Sequence, residues 1–483
     1  MVELTIDLGQ PTTPFPHYWE RCVGSCHAAT ALREDWRRQL KQCHDELGFQ
    51  SVRFHGLLND DMSVYQKRGE SPEYSFFNID SVFDFLLQIG MKPFIELGFM
   101  PRALASGSAT IFHYSANVTP PRSYEEWGEL IRTLTAHLVA RYGIQEVRSW
   151  FFEVWNEPNL NDPDRWRFWA GTQADYFRLY RHAAEAIKSV DAHIPVGGPA
   201  TARNAWIPDL IAYCRSDRVP LDFISTHHYP TDAALAFGDM EQAMAHAGRG
   251  VLREMALKAR QEAGSLPLYY TEWNNSPSSR DHYHDEPYAA AFVVKTIADL
   301  QGLIDVYSFW AFSDIFEELA MPSQPFHGGF GLLNLHGIPK PTFRAFQLLH
   351  SLGHERLAVM SDSRSTVEAI ATKDSYARQI TILVYNHTVP LAPIQEEHVQ
   401  ITLHGYTGKG SVFTQRIDAG HANPKRHWCE LGSPEYPDQD TLQMLLKSSE
   451  LTQEEIAHRQ DGDDVILQLA IPPHGVAAIT LTG

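Results

Sequence analysis

WFFEVWNEPN, residues 150–159, joins an apolar run of strand length to a carboxylate and a proline. Its nearly continuous apolar character is typical of a strand buried on both faces, as in a parallel sheet covered by helices. Pro158 lacks an N–H and ends the hydrogen-bonding ladder, so Glu157 is predicted to follow the strand directly. The stretch therefore favours an α/β fold with a functional side chain at the rim of a parallel sheet.

Similar apolar runs recur along the chain on both sides of this stretch. The eight predicted strands are residues 21–25, 51–55, 92–97, 149–155, 194–198, 222–228, 267–272 and 305–310. Amphipathic helical patterns lie between them, for example at residues 31–47, 124–142, 174–190 and 240–263. Eight strands that alternate with helices indicate a (β/α)8 TIM barrel, which we predict for residues 15–345.

The pattern changes after about residue 350. Short β-type runs separated by polar turns follow at residues 366–372, 379–385, 398–403, 465–469 and 476–481, interrupted by a helix-like segment at 435–455. This pattern predicts an antiparallel β-sandwich over residues 346–483. Residues 2–8 alternate apolar and polar side chains, so we expect residues 1–14 to join the same sandwich.

Composition excludes several classes of function. A net charge of −19 disfavours nucleic acid and anionic membranes as partners, because both require a basic surface. No run is long and apolar enough for a membrane span, the first ten residues do not resemble a signal peptide, and the five scattered cysteines do not form a disulfide framework. We therefore expect a cytoplasmic protein that needs no metal or other cofactor.

Two predicted strands end in a glutamate. Glu157 follows Asn156 after the fourth strand, and Glu272 ends the seventh strand beside Trp273. Strand ends of a barrel meet at one mouth, where a protonated carboxyl and an ionised one can together cleave a glycosidic bond. Alternatively, each glutamate forms a structural ion pair at the barrel rim.

Other strand ends carry polar and aromatic groups that fit such a site. Arg53 at the end of the second strand favours an ionised carboxylate nearby, which suits a nucleophile. His228 and Tyr229 follow the sixth strand and can bond sugar hydroxyls, while Trp310 at the end of the eighth offers a floor for a sugar ring. The acidic loop at residues 314–318 suits hydroxyl recognition.

Four motifs, in this order, resemble glycoside hydrolase family 39: WFFEVWNEPN (150–159), STHHYP (225–230), YYTEWN (269–274) and FWAFSDIFEE (309–318). Within that family they are most similar to the β-xylosidases. The resemblance implies a retaining mechanism with Glu157 as acid/base and Glu272 as nucleophile. It also implies substrate contacts, with the choice between the last two left open, from His55, Asn156, His228, Tyr283, and Glu317 or Glu318.

The resulting prediction is an exo-acting enzyme that releases β-1,4-linked xylose from the non-reducing end of xylo-oligosaccharides. The family also contains α-L-iduronidases, but the acidic loop at 314–318 would repel a uronic carboxylate. α-L-Arabinosidase or glucosidase activity depends on pocket size, and the oligomeric state stays open. A non-catalytic sugar-binding protein is disfavoured because binding alone does not need both glutamates. A metal-dependent hydrolase could use His55, His227 and His228, but no His-x-His pair ends the first strand.

Overall fold

The computed structural model describes residues 1–69, 71–233, 239–361, 365–408 and 410–482. Eight parallel strands close into a barrel in the order of the chain, which confirms the predicted (β/α)8 fold. The barrel strands are Val23–His27, Ser51–His55, Lys92–Leu97, Phe151–Val154, Val196–Thr201, Phe223–His228, Leu268–Trp273 and Val306–Phe309. Two small β-hairpins lie in the loops that follow the second and third barrel strands. They are formed by Tyr65–Arg68 with Ser71–Tyr74 and by Thr110–Ile111 with Ala116–Asn117.

Helices follow the barrel strands. The α-helices up to the end of the barrel are Glu34–Leu47, Phe77–Gln88, Tyr124–Tyr142, Ile144–Val147, Gln173–Val190, Ile207–Asp217, Met240–Ala247, Val251–Ala263, Pro287–Leu300 and Pro341–His350. Short 3-10 helices are Ala28–Leu32, Asp60–Met62, Ala202–Asn204, Pro230–Ala233 and His282–Asp285. None of the helices in the described part of the chain is long and apolar enough to cross a membrane.

One predicted helix is wrong in its extent. Residues 240–263 form two helices, Met240–Ala247 and Val251–Ala263, rather than one. Gly248 lies between them with a φ of 87°, a left-handed conformation that glycine adopts without strain and that ends a helix.

Aromatic side chains fill the lower part of the barrel. Phe94, Phe151, Phe223 and Tyr269 come from four strands, and their ring centroids lie 4.7–6.3 Å apart. Because side chains alternate along a strand, the next inward positions lie above this layer, toward the carboxyl ends of the strands. The apolar layer thus closes the bottom of the barrel and leaves polar groups at its mouth.

The remaining strands form two sheets that share one buried apolar cluster, as in the predicted sandwich. The five-stranded sheet has the order Val359–Ser361, Val2–Asp7, Glu397–His404, Asp464–Ile471 and His458–Asp461. The seven-stranded sheet has the order Thr13–Pro14, Glu355–Leu357, Val367–Asp374, Gln379–Asn386, Val476–Thr482, Val412–Ile417 and Gln453–Glu455. The helix Gln439–Ser448 lies within the segment 435–455 that we expected to be helix-like, whereas the helix Pro424–Glu430 lies before it and was not predicted.

The last helix of the barrel indicates where the barrel ends and the sandwich begins. The helix Pro341–His350 packs against Pro287–Leu300 of the barrel, so a boundary at residue 345 would cut through a barrel helix. We propose to place the boundary after His350, with residues 1–14 assigned to the sandwich because Val2–Asp7 and Thr13–Pro14 pair with its strands.

Candidate active site

Glu157 and Glu272 meet at the mouth of the barrel. One carboxyl oxygen of each, together with a ring nitrogen of His227, lie within 4.8 Å of one another. Both glutamates are buried, with 9% and 5% of their surfaces exposed. Two buried carboxyls at this separation are close enough to act on opposite sides of a single bond.

A strained turn directs Glu157 inward. Trp155 and Glu157 have positive φ values of 73° and 44°, a conformation that costs about 1–3 kcal/mol per residue and clusters at functional sites. The Glu157 N–H donates to the carbonyl of Ala200 at 2.7 Å, which ties the turn to the fifth strand. The turn therefore holds the carboxyl over the barrel axis.

A β-bulge places two consecutive residues of the seventh strand on the inside. The pairing with the sixth strand passes from Thr226 opposite Tyr270 to His227 opposite Glu272, so Thr271 is the extra residue. Thr271 and Glu272 both bond to side chains in the barrel mouth, a change of direction that bulges commonly produce. This irregularity explains why a carboxylate can end an apolar strand.

Arg53 connects the carboxylates of the site. It donates to Glu272 Oε1 at 2.9 Å, to Glu153 Oε2 at 2.6 Å and to Asn156 Oδ1 at 2.9 Å, and it forms an ion pair with Glu96 Oε2 at 2.9 Å. Burial alone lowers the pKa of this guanidinium, but the surrounding carboxylates outweigh burial and raise it above its usual value. Arg53 therefore places a permanent positive charge beside the Glu272 carboxyl.

The environment of Glu157 is different. Burial raises its pKa to about 7, the positive charges of Arg53 and Arg203 oppose that increase, and Glu96 adds to it. A carboxyl with this pKa is substantially protonated near neutral pH. Glu157 is therefore suited to donate a proton, whereas Glu272 is held by a cation.

His55, Trp310 and Glu318 form one wall of the mouth. The His55 and Trp310 ring centroids lie 4.8 Å apart, and His55 Nε2 lies 3.6 Å from Glu272 and 3.7 Å from Glu318. His55 Nδ1 is bonded to Glu96 at 2.6 Å. Burial lowers the pKa of His55 to about 3, so its ring is neutral at neutral pH.

The structure distinguishes the two adjacent glutamates of the eighth loop. Glu318 faces the site, and burial, together with the negative charges of Glu272 and Glu157, raises its pKa well above its usual value. Glu317 points the other way, 3.7 Å from the exposed Arg33. Only Glu318 of this pair approaches the groups around Glu272.

Of the other expected substrate contacts, Tyr229 lies beside Glu272, whereas His228 and Tyr283 do not. The Tyr229 hydroxyl donates to Glu272 Oε2 at 3.3 Å. His228 stacks on Tyr270 and is bonded to the hydroxyl of Tyr307, because it alternates with the inward-facing His227.

Tyr283 contacts a different part of the rim. Its hydroxyl donates to Glu241 and its ring packs on Tyr288. The contacts found among the described residues do not join Tyr283 to either catalytic candidate, so its role as a substrate contact stays a prediction.

The histidines of the metal-dependent alternative do not converge. His227 uses Nδ1 for Glu157 and Nε2 for Thr271, and His55 uses Nδ1 for Glu96. His228 lies on the opposite side of its strand, so the three rings share no common point. The donor set of these three histidines does not fit a metal centre.

Two buried carboxyls at the carboxyl ends of the fourth and seventh strands of a parallel barrel define the site of a barrel glycoside hydrolase. The model of "Glycosyl hydrolases family 39" matches residues 2–464. The chain belongs to this family.

Relatives and solved structures agree with this assignment. The chain is 55% identical over 486 residues to a β-xylosidase of Caldicellulosiruptor saccharolyticus, covering 100% of this chain and 98% of the relative. It is 36% identical to a β-xylosidase of Geobacillus stearothermophilus, covering 93% and 89%. The crystal structure of a monomeric β-xylosidase from Caulobacter crescentus CB15 superposes with a TM-score of 0.87 at 32% identity, covering 100% and 99%.

Proposed function

We propose that the protein is a retaining exo-β-xylosidase that removes xylose from the non-reducing end of short β-1,4-linked xylo-oligosaccharides. Glu157 is the acid/base and Glu272 the nucleophile. The observation that supports this most directly is the approach of their carboxyl oxygens to within 4.8 Å. Carboxyl groups about 5–5.5 Å apart are typical of retaining enzymes, whereas inverting enzymes separate them by about 6.5–9.5 Å.

Two displacements account for the proposed reaction. In the first, Glu272 attacks the anomeric carbon, the bond to the leaving oxygen breaks, and that oxygen takes the proton of Glu157. In the second, Glu157 removes a proton from water, water attacks the same carbon, and the ester to Glu272 breaks. Two inversions at one carbon return the starting anomeric configuration.

The closed side of the mouth supports exo action. The His113 N–H donates to the Glu318 carbonyl at 2.7 Å, which joins the loops after the third and eighth strands. The Phe112 ring covers His55 at a centroid distance of 6.1 Å. These contacts wall off one end of a cleft, so a chain end fits better than the middle of a polymer.

A neutral pentose fits the charges of this pocket. Asn156 accepts from Arg53 through its amide oxygen, which leaves its NH2 group to donate to a sugar hydroxyl. Glu318 lies on the closed side, where it can bond the hydroxyls of the terminal sugar. A uronic carboxylate placed there would lie beside Glu318 and close to the charge of the proposed nucleophile Glu272, and a like charge at close range disfavours it.

Hydrolysis with retention is the expected outcome on a panel of nitrophenyl glycosides. The β-xyloside should be the best substrate, ahead of the α-L-arabinosides, the β-glucoside and the α-L-iduronide. Proton NMR in the first minutes should show β-xylose before mutarotation. First formation of α-xylose would contradict the proposed roles of both glutamates, and preference for another glycoside would contradict the substrate alone.

Glu318→Gln is expected to lower kcat/KM for β-xylosides by about 10²-fold or more, because a site built to bond hydroxyls loses strongly when a partner is changed. Glu317→Gln is the matched control, since the two residues are adjacent in sequence but Glu317 faces Arg33. The control should stay within about threefold of the unmodified protein, as is usual for a surface pair. Equal losses in the two variants would remove Glu318 from the proposed sugar site.

A cytoplasmic location stays a prediction for this chain. All five cysteines lie in the described residues and all are free thiols, which is compatible with a reducing compartment. Fractionation of producing cells, with the xylosidase activity followed in each fraction, tests this location.

A further inference from the structure

A chain of buried hydrogen bonds links the two proposed catalytic carboxyls from behind. From Glu157 Oε1 the contacts run to His227 Nδ1 at 3.0 Å and from His227 Nε2 to Thr271 Oγ1 at 3.1 Å. Thr271 Oγ1 then donates to Glu153 Oε1 at 2.8 Å. Glu153 Oε2 accepts from Arg53, which also donates to Glu272 and so ends the chain at the second carboxyl.

The residues in the middle of this chain are fully buried. His227, Thr271, Glu153 and Arg53 each have 0% of their surface exposed. Water cannot substitute for a missing partner at such positions, so each donor must face an acceptor. The direction of every hydrogen bond in the chain can therefore be worked out by starting from one end.

The Thr271 hydroxyl fixes the direction at one side of His227. It has a single hydrogen, which it donates to Glu153, a carboxylate paired with Arg53. Its oxygen can then only accept from His227. The Nε2 atom of His227 must therefore carry a hydrogen.

The second nitrogen of His227 follows from this. Burial lowers the pKa of His227, so the ring is neutral and has only one N–H. With that hydrogen on Nε2, Nδ1 is an acceptor directed at Glu157 Oε1. A hydrogen bond across this 3.0 Å contact then requires the proton to be on Glu157.

We propose that Thr271 and Glu153 are positioning residues that fix His227 as the Nε2–H tautomer and thereby keep the proton on Glu157 in the resting enzyme. This inference rests on the proposed function, in which Glu157 is the acid/base. It adds to that function the device that holds the acid in its protonated form.

The same device assists the second half of the reaction. When the leaving oxygen takes the proton of Glu157, a carboxylate oxygen faces the Nδ1 lone pair with no hydrogen between them. This contact is unfavourable and makes Glu157 a stronger base toward water. Transfer of one proton from water to Glu157 restores the original hydrogen bond, so the proton count balances over one turnover.

Other charged and titratable groups also face this pair. Arg53 and Arg203 favour ionised Glu157 and Glu96 disfavours it, while His227 is influenced by Glu272, Arg53, Glu153 and Glu96. Glu157 in turn influences Tyr229, Asp232 and Glu318. Of these groups only Glu153 is bonded to Thr271, so a variant at Thr271 leaves the other charged groups in place.

The first test is the pH dependence of kcat/KM on xylobiose, whose poor leaving group requires the acid. In the unmodified protein activity should fall as the pH rises through about 7, the pKa of Glu157. Thr271→Val removes the acceptor of Nε2–H and lets the hydrogen move to Nδ1, where it stabilises ionised Glu157. The alkaline limb should then move down by about one pH unit, a tenfold change in proton affinity.

Two further variants separate this effect from a loss of packing. Thr271→Ser keeps the hydroxyl and should return the limb to its original position. Glu153→Gln can donate to Thr271 through its NH2 group, which reverses the direction of the chain, and should lower the limb as Thr271→Val does. A reduced kcat/KM with the limb in place in all three variants would show that Thr271 and Glu153 only support the structure, and would overturn the proposal.

A second measurement does not depend on activity. Nitrogen-15 NMR distinguishes protonated from bare ring nitrogens, and comparison with a His227→Gln variant assigns the signals of His227. Nε2–H should be found in the unmodified protein and should be lost in Thr271→Val; Nδ1–H in the unmodified protein would overturn the proposal. A protein inactive on every glycoside, yet with the expected tautomer, would contradict the proposed function. It would still support the proposed chain of hydrogen bonds.

Discussion

Turnover should fall by about 10⁴- to 10⁶-fold when Glu272 is replaced by alanine, the scale of effect found when an enzyme loses its nucleophile. Without this carboxylate no covalent bond to the anomeric carbon can form. The measurement is kcat on nitrophenyl β-xyloside. Glu317→Ala, which removes an acidic side chain outside the pocket, is the control and should retain nearly full activity.

The Glu272→Ala protein should still fold. Arg53 keeps its hydrogen bond to Glu153 at 2.6 Å and its ion pair with Glu96 at 2.9 Å, so its buried charge stays paired. Thermal unfolding followed by circular dichroism should show a cooperative transition. If the Glu272→Ala protein loses this transition as well as its activity, the kinetic result does not test the chemistry. The same measurement is then made on Glu272→Gln, which keeps the shape of the side chain.

Covalent labelling identifies the nucleophile directly. A 2-fluoro-xyloside with a good leaving group should trap a glycosyl ester, because fluorine slows both displacements and the good leaving group speeds only the first. Peptide mapping should place the ester on Glu272. An ester on Glu96 or Glu318, two other carboxyls close to His55, would contradict the assignment.

The barrel was predictable because its signals are local. Ser51–His55 and Lys92–Leu97 agree with the predicted runs to the residue. The two glutamates were predictable for the same reason, as a carboxylate at the end of an apolar strand has few structural explanations. Both features depend on neighbours in sequence.

Features that depend on register were not predictable. The sequence STHHYP does not tell which histidine faces the mouth, and the structure places His227 there and His228 against Tyr307. Counting alternate residues from Phe223, which lies inside the barrel, would have indicated His227. The bulge at Thr271 has no comparable signal, because it arises from pairing between strands.

The course of the long loops was also not predictable from the sequence. Glu317 and Glu318 differ only in which way a loop turns, and that turn is set by the His113 N–H, which comes from another loop. Nothing in the sequence joins residues 113 and 318. Sequence could therefore predict an acidic wall but not the carboxylate that forms it.

Loss of Glu157 should affect substrates according to their leaving groups. For xylobiose, whose sugar alcohol leaves only with a proton, Glu157→Ala should lower kcat/KM by about 10²- to 10⁴-fold, the usual contribution of a general acid. For dinitrophenyl β-xyloside, which leaves as a stable anion, kcat/KM should change little. The measurement is kcat/KM on both substrates, with Asp162→Ala as a control from the exposed loop that follows Glu157.

Azide tests the second half of the same reaction. Without Glu157 no base activates water, so the glycosyl ester on Glu272 should accumulate and kcat for dinitrophenyl β-xyloside should fall. Azide is anionic and needs no base, and the space left by the missing carboxylate beside His227 admits it. Azide should therefore raise kcat and give β-xylosyl azide, because the attack inverts the α-linked ester. Equal losses on both substrates without rescue by azide would mean that Glu157 supports the structure only, and the acid would have to be sought among the other buried carboxyls of the mouth, of which Glu96, with a pKa raised to about 8 by burial, would be the first to test.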